Sequence, residues 1–105
     1  MINSDIYHSL IEKREELVKL LRDIEERIKR YRKGTLFCRD HYYYIKYYND
    51  GKVISEYVGK DLSEKEIDDI NRELKNYKTL DKKRKTCIKE LKEIEKMIKK
   101  YERRK

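Results

Sequence analysis

Apolar residues in the first third of the chain recur at the spacing of a helix seam. From Leu17 onward they step by four, three, four and three residues, the repeat of a coiled coil. Asn3 or Ser4 offers a side-chain oxygen that can cap the first turn, and Gly34 is a natural left-handed stop. The pattern predicts a helix over residues 5–33. Its seam consists of Ile6, Leu10, Leu17, Leu21, Ile24, Ile28 and Tyr31.

The period of the pattern then changes to strand-like alternation over residues 35–58. Asp40-His41 and Asn49-Asp50-Gly51 divide this segment into three short runs. Asp-Gly supplies the positive φ angles that two-residue hairpin turns need. We therefore predict a three-stranded antiparallel sheet.

The last segment opens with Ser63-Glu64-Lys65-Glu66, a capping box in which serine and glutamate satisfy each other's exposed amides. Helical periodicity then predicts one long helix over residues 63–104. A single three-residue step from Tyr77 to Leu80 breaks the alternation of the seam. This irregularity predicts a bend or a split near residues 76–83.

Two seams separated by a compact insert predict a mostly helical α+β fold. We expect an antiparallel coiled-coil helical hairpin with the three-stranded antiparallel sheet inserted at its turn. Residues 1–105 then form a single domain, and aligning the helix ends places Leu21 near Tyr77. Because two helices alone bury little apolar surface, we also expect two hairpins to pair as a homodimer.

Composition narrows the class of protein. The chain is 37% hydrophobic and 48% charged, with a net charge of +8, which favours a polyanionic or acidic partner. Met1 to Asp5 is polar and no apolar run approaches the length of a membrane span. We therefore expect a cytoplasmic protein with no membrane association, in which Cys38 and Cys87 are free thiols.

Strand alternation predicts which side chains share each face of the sheet. With two-residue turns, one face is apolar enough to pack on the helices: Leu36, Cys38, Tyr43, Ile45, Tyr47, Ile54 and Val58. The other face carries Phe37, Arg39, Tyr42, Tyr44, Lys46, Tyr48, Val53, Ser55 and Tyr57, with Lys52 at the rim. A three-residue turn at 49–51 would instead move Tyr57 to the first face.

The second face has the chemistry of a nucleic-acid surface, because rings stack on bases and cations neutralise phosphates. The chain has ten Tyr and one Phe, and this preference indicates rings whose hydroxyls reach water or a partner. The predicted binding residues on the sheet are Arg39, Tyr42, Tyr44, Lys46, Tyr48, Lys52 and Tyr57. A basic helix end extends them with Arg27, Lys29, Arg30, Arg32 and Lys33. Three alternatives remain open: the face packs against a dimer mate, it only covers a thin sheet with amphipathic rings, or it docks a protein.

Catalysis finds little support in the sequence. His8 and His41 lie on separate predicted elements without a nucleophile or third ligand nearby, and the carboxylates alternate with cations as in surface ion pairing. The three glycines lie at turns or helix ends and form no phosphate-binding loop. We expect a non-enzymatic protein with no cofactor and no metal site.

Two resemblances follow from the sheet residues. Tyr42 to Lys60, with its Tyr-rich strand, Gly51-Lys52 and Ser55-x-Tyr57, resembles the core of a small uncharacterised prokaryotic family. That resemblance covers Gly34 to Lys60 and implies no activity. Three strands followed by a capped helix are similar to the arm-type DNA-binding domain of tyrosine recombinases. This second likeness implies a DNA-contacting sheet with candidate positions at Tyr42, Tyr44, Lys46, Tyr48 and Lys52. The chain departs from the recombinases by its long first helix and its lack of a catalytic domain.

These observations favour a small, sequence-tolerant DNA- or RNA-binding accessory protein of a phage or mobile element. The alternative is a protein-interaction module: a coiled-coil adaptor, an antitoxin-like partner, or a phage-encoded inhibitor of a CRISPR-type host defence complex. Steep salt dependence would indicate nucleic acid, and weak salt dependence would indicate protein docking.

Overall fold

The computed structural model of the protein describes residues 4–103. Helix α1 spans Ser4–Ile28 and helix α2 spans Glu64–Arg103. Between them in the chain lie strands β1 (Thr35–Arg39), β2 (Tyr42–Asn49) and β3 (Lys52–Lys60). The predicted α+β fold, with an antiparallel sheet inserted between two helices, is confirmed. The predicted cap at Asn3 and helix end at residue 104 lie outside the described residues.

The chain divides into two compact units. One consists of α1 with the part of α2 from Leu80 onward, and the other is Lys29–Thr79. Helix α2 is continuous through both, and the boundary between the units falls inside the 76–83 segment where the seam is irregular. The two units share α2, and nothing in the structure decides whether they fold as one domain. The single-domain organisation and the homodimer therefore stay predictions.

Apolar packing of α1 against the second half of α2 forms the helical unit. Leu17, Cys87 and Leu91 are buried together, and Leu21 and Ile94 pack against them. Near the other end of α1, the Tyr7 hydroxyl donates a hydrogen bond to Glu102 Oε1 at 3.1 Å. Early residues of α1 thus contact late residues of α2, so the two segments run antiparallel.

The expected alignment of Leu21 with Tyr77 is wrong. Leu21 instead packs against the cluster that contains Cys87, ten residues further along α2, or about 15 Å at 1.5 Å per residue. The cause is that α2 serves two units, and its first half, through Thr79, belongs with the sheet.

Helix α1 also ends earlier than predicted, at Ile28 rather than Lys33. The carboxylate of Glu73 captures the linker that follows: it accepts hydrogen bonds from the Arg32 backbone N–H at 3.1 Å and from Arg32 Nη2 at 3.1 Å. A turn at Lys29 and Arg30 and an irregular linker after it therefore replace the last turn of the predicted helix.

Both hairpin turns contain two residues, as predicted. Arg39 pairs with Tyr42 and Asn49 pairs with Lys52, while Asp40 and His41 have φ values of 52° and 71°. Asp50 and Gly51 also have positive φ, so both turns have the sign pattern of type I′.

The third strand departs from ideal pairing at one point. Tyr44 pairs with Tyr57 and Tyr43 pairs with Gly59, which leaves Val58 as the extra residue of a β-bulge. Strand β3 continues to Lys60, two residues beyond the predicted end. Beyond the bulge the register is shifted by one residue, so Tyr42 pairs with Lys60 instead of Gly59.

Ile45 is the most buried residue of the sheet, at 1% exposure. Leu36, Tyr43, Tyr47 and Ile54 share its face by register and are half-buried. Cys38 has the same parity but is exposed, because it lies near the end of an edge strand. We call this the inner face. Six of its seven predicted members share it by register, but Val58 is the unpaired residue of the bulge, and Glu56, which was not predicted there, pairs with Ile45.

Gly34 makes a close approach to the middle strand. It adopts φ +126°, and a Cβ there would lie 2.6 Å from the Lys46 carbonyl oxygen and 2.8 Å from Ile45 Cγ2. We expect Gly34→Ala to lower the free energy of unfolding by about 2–4 kcal/mol, through steric conflict added to backbone strain. Urea denaturation followed by circular dichroism measures the change.

Gly51→Ala is the matched control, since its φ is also positive, at +76°, but no atom lies within 4 Å of the added Cβ. It should cost only the backbone strain, about 1 kcal/mol. Equal losses at both positions would contradict the close approach at Gly34.

The two cysteines should differ sharply in reactivity. Cys38 is exposed, whereas Cys87 is 3% exposed and its Sγ lies 3.3 Å from the Leu17 carbonyl oxygen that accepts its hydrogen bond. Burial also raises the pKa of the Cys87 thiol, which lowers its thiolate population.

We therefore expect a disulfide reagent at pH 8 to modify one thiol promptly and the second only as the helical unit opens. A Cys38→Ser variant should retain the slow phase alone. Rapid modification of that variant would show that Cys87 is accessible and that the packing described above is wrong.

Candidate nucleic-acid interface

The face of the sheet opposite Ile45 is built from four rows of cross-strand neighbours. Antiparallel register places directly paired residues on the same face. The rows are Arg39–Tyr42–Lys60, Phe37–Tyr44–Tyr57, Thr35–Lys46–Ser55 and Tyr48–Val53. We call these eleven residues the outer face.

The outer face contains no acidic side chain. The one acidic residue within the three strands is Glu56, which pairs with Ile45 and so belongs to the inner face. There it accepts a hydrogen bond from the Tyr47 hydroxyl, and this bond raises the pKa of Tyr47. The outer face is left with the positive charges of Arg39, Lys46 and Lys60.

Aromatic rings on the outer face form a connected cluster across all three strands. Phe37 and Tyr44 stack with ring centroids 5.4 Å apart and planes at 21°. Tyr57 meets Tyr44 edge-on at 5.7 Å and Tyr42 at 6.2 Å. Lys60 Nζ lies 5.3 Å from the centroid of the Tyr42 ring, a cation–π arrangement. The rings therefore hold one another in place.

Several of these side chains remain open to solvent. Tyr48 is 69% exposed, Tyr57 59%, Val53 49% and Tyr42 40%, while Phe37 and Tyr44 are half-buried. The half-buried pair thus supports exposed rings around it. Large exposed apolar patches often belong to interaction surfaces, so the outer face is a candidate for one.

A shallow depression adjoins the aromatic cluster. It has a volume of about 380 Å³ and is lined by Thr35, Phe37, Lys46, Val53 and Ser55. Two hydroxyls and one ammonium line it together with two apolar side chains. Groups that can donate hydrogen bonds to an anion therefore stand directly beside the rings.

Six of the seven predicted sheet residues meet on the outer face: Arg39, Tyr42, Tyr44, Lys46, Tyr48 and Tyr57. The seventh, Lys52, pairs with Asn49 and lies beside the turn with the parity of the inner face. Lys60 and Thr35 were missed by sequence reasoning. Lys60 belongs to the outer face because of the bulge at Val58, which strict alternation from the turn does not reveal.

The basic helix end is less available than its sequence suggests. Arg27 pairs with Asp23 at 3.2 Å, Arg32 is held by Glu73, and Lys33 Nζ lies 5.4 Å from the ring centroid of the inner-face Tyr47. Lys29 also has an interaction within the protein. Arg30 is exposed and has no ion pair among the described residues. Four of these five basic residues therefore already interact with another residue of the chain.

Neither a metal site nor a membrane-spanning helix is found within residues 4–103. No group of three or more His, Cys, Asp or Glu side chains is arranged to hold a metal ion. No helix in that range combines the length and the apolar character needed to cross a membrane.

Comparison with known proteins places the chain in a family. A family model described as Domain of unknown function (DUF6788) matches residues 7–69, more than half of the chain. No curated protein matches, and no solved structure matches. The likeness to the arm-type domain of tyrosine recombinases therefore stays a prediction.

The ion pair between Arg32 and Glu73 should make stability depend on pH. The hydrogen bond from Arg32 lowers the pKa of the Glu73 carboxyl below its usual value of 4.5, although partial burial opposes the shift. Because the folded pKa is lowered, this carboxylate stabilises the fold above about pH 4.5 and loses that effect as pH falls through the folded pKa.

We expect Glu73→Gln to lower the free energy of unfolding by about 0.5–1 kcal/mol at pH 7, and this deficit to shrink as pH falls toward 3. Urea denaturation at both pH values measures the difference. Glu93→Gln, at an exposed position of α2, is the control and should have little effect at either pH. A loss for Glu73→Gln that persists unchanged at pH 3 would contradict this role.

Proposed function

The chain belongs to the DUF6788 family, whose function is unknown, and we propose that it is a non-enzymatic nucleic-acid-binding protein. The outer face of the sheet is the binding surface. Arg39, Lys46 and Lys60 contact phosphates, and the exposed tyrosine rings contact bases or sugars.

The observation that carries this proposal is the composition of the outer face. The chain has 21 acidic residues in 105, one in five, yet none lies in the four rows of this face. Exposed rings and three cations share it instead. A surface with these properties attracts a polyanion and presents no group that repels one.

The binding energy has two physical sources. Cations that neutralise phosphates release condensed counterions, so affinity falls as salt rises. Rings add stacking energy that every base can provide, which makes recognition tolerant of sequence. Together they suit an accessory protein that coats or escorts nucleic acid.

Protein docking is the second candidate, and one observation favours it. Tyr48 and Val53 are direct cross-strand neighbours, and both are exposed. Tyrosine is among the side chains that most often anchor protein interfaces. A protein partner would be held mainly by these apolar contacts, and its affinity would depend little on salt.

The test of the proposed function is charge reversal on the outer face. We expect the wild type to bind fluorescent oligonucleotides at micromolar concentration in low salt, and Lys46→Glu to weaken that binding at least tenfold. The variant removes a phosphate contact and places a carboxylate among the phosphates. Fluorescence anisotropy at two salt concentrations measures both the affinity and the salt slope, which should fall by about 1.

Lys92→Glu is the matched control, because it changes the net charge equally at an exposed position of α2. It should bind almost as the wild type does. Equal weakening by both variants would indicate attraction to net charge alone, and the absence of any binding at low salt would refute the proposal.

A further inference from the structure

We infer that the ligand of the outer face is an unpaired nucleic-acid strand, with a phosphate seated on the Thr35–Lys46–Ser55 row and bases stacked on Tyr57 and Tyr48. This inference rests on the proposed function and specifies its substrate class.

The balance of side chains on the outer face favours bases that are not paired. A duplex presents base edges in its grooves, and proteins read those edges mainly with Arg, Lys, Asn and Gln. The outer face has five rings, three cations and no amide side chain. Rings need open base faces, which a duplex hides within its own stack. Single strands expose these faces, and aromatic side chains bind them.

Tyr57 is suited to receive a base. Its ring centroid lies 5.7 Å from that of Tyr44 and 6.2 Å from that of Tyr42, yet the residue remains 59% exposed. Two neighbours thus restrict the ring while leaving much of it open. A side chain that is already ordered loses little conformational entropy when a base stacks on it.

The phosphate position follows from the next row of the sheet. Lys46 is flanked by Thr35 on one strand and by Ser55 on the other, each about 4.8 Å away across the sheet. These residues line the depression beside Phe37 and Val53. An ammonium between two hydroxyls can donate several hydrogen bonds to one phosphate.

Spacing along the strands connects the phosphate to the bases. Rows on one face are two residues apart, or about 7 Å, so the Lys46 row lies one step from the Tyr44–Tyr57 row. Tyr48, at 69% exposure, lies one step away on the other side. A base platform at Tyr57, a phosphate site at Lys46 and a second base platform at Tyr48 therefore lie in successive rows of the outer face, the order of groups in a dinucleotide step.

The experiment compares three labelled probes of equal length with the full chain: single-stranded oligothymidylate, the same backbone with abasic sites, and a duplex. Fluorescence anisotropy should show that the wild type binds oligothymidylate about a hundredfold more tightly than the abasic strand, which loses two stacked bases, and at least about tenfold more tightly than the duplex. Tyr57→Ala should lose about tenfold for oligothymidylate, within the range for loss of one stacked base, and nothing for the abasic strand. Tyr57→Phe keeps the ring and should bind as the wild type does.

The phosphate site has its own test. Lys46→Gln and the double variant Thr35→Val with Ser55→Ala should weaken binding of the oligothymidylate and abasic strands by similar factors, since both carry the same phosphates. Weakening of oligothymidylate alone would overturn the phosphate assignment.

The outcomes separate the two levels of the proposal. If the protein binds the duplex as tightly as the single strand, and Lys46→Glu still weakens that binding, this inference is overturned and the proposed function stands. No binding to any probe overturns both. If circular dichroism shows that Tyr57→Ala is unfolded, Tyr48→Ala replaces it, because Tyr48 has no ring contact among the described residues; no preferential loss for oligothymidylate would then count against the base platforms.

Discussion

The burial of Ile45 in the middle strand is the interaction on which the rest of the sheet depends. Its side chain is 1% exposed, and Gly34 lies so close that no Cβ fits between them. A slip of one residue in register would turn Ile45 outward and bury the Lys46 ammonium. Ile45 thus fixes the inner face, and by strand alternation it also determines which residues form the outer face.

The choice of tyrosine over phenylalanine is consistent with a sheet that leaves one face uncovered. Exposed phenylalanines across three strands would make an apolar patch prone to association. Tyrosine keeps the stacking surface and adds a hydroxyl that water can solvate. Phe37, the one phenylalanine, is half-buried against Tyr44, so the ring without a hydroxyl lies among the less exposed rings of the cluster.

Local rules predicted most of the sheet and much less of the helices. Strand alternation placed Tyr57 beside Tyr44 on the condition that the turn at Asp50-Gly51 has two residues, because turn length and register are coupled over a few residues. The structure has that two-residue turn. The pairing of Leu21 with Cys87 was not predictable in the same way. It depends on the point where α2 leaves the unit of residues 29–79 and enters the helical unit. Tertiary packing sets that point, and the sequence shows it only as an irregular step from Tyr77 to Leu80. The capture of Arg32 by Glu73 was missed for the same reason, since 41 residues separate the two.

The use of charge inside the fold bears on what the outer face can bind. A net charge of +8 suggests a broad electrostatic footprint. However, Arg27 and Arg32 form ion pairs with carboxylates of the same chain. The outer face has three cations, and one of them, Lys60, makes a cation–π contact with the Tyr42 ring. With a slope of about −0.7 per phosphate for single strands, three contacts give a total slope of about −2, which is less than the net charge alone suggests. The proposed function then requires stacking to supply a large share of the affinity, so that the rings rather than the net charge decide which nucleic acid is bound.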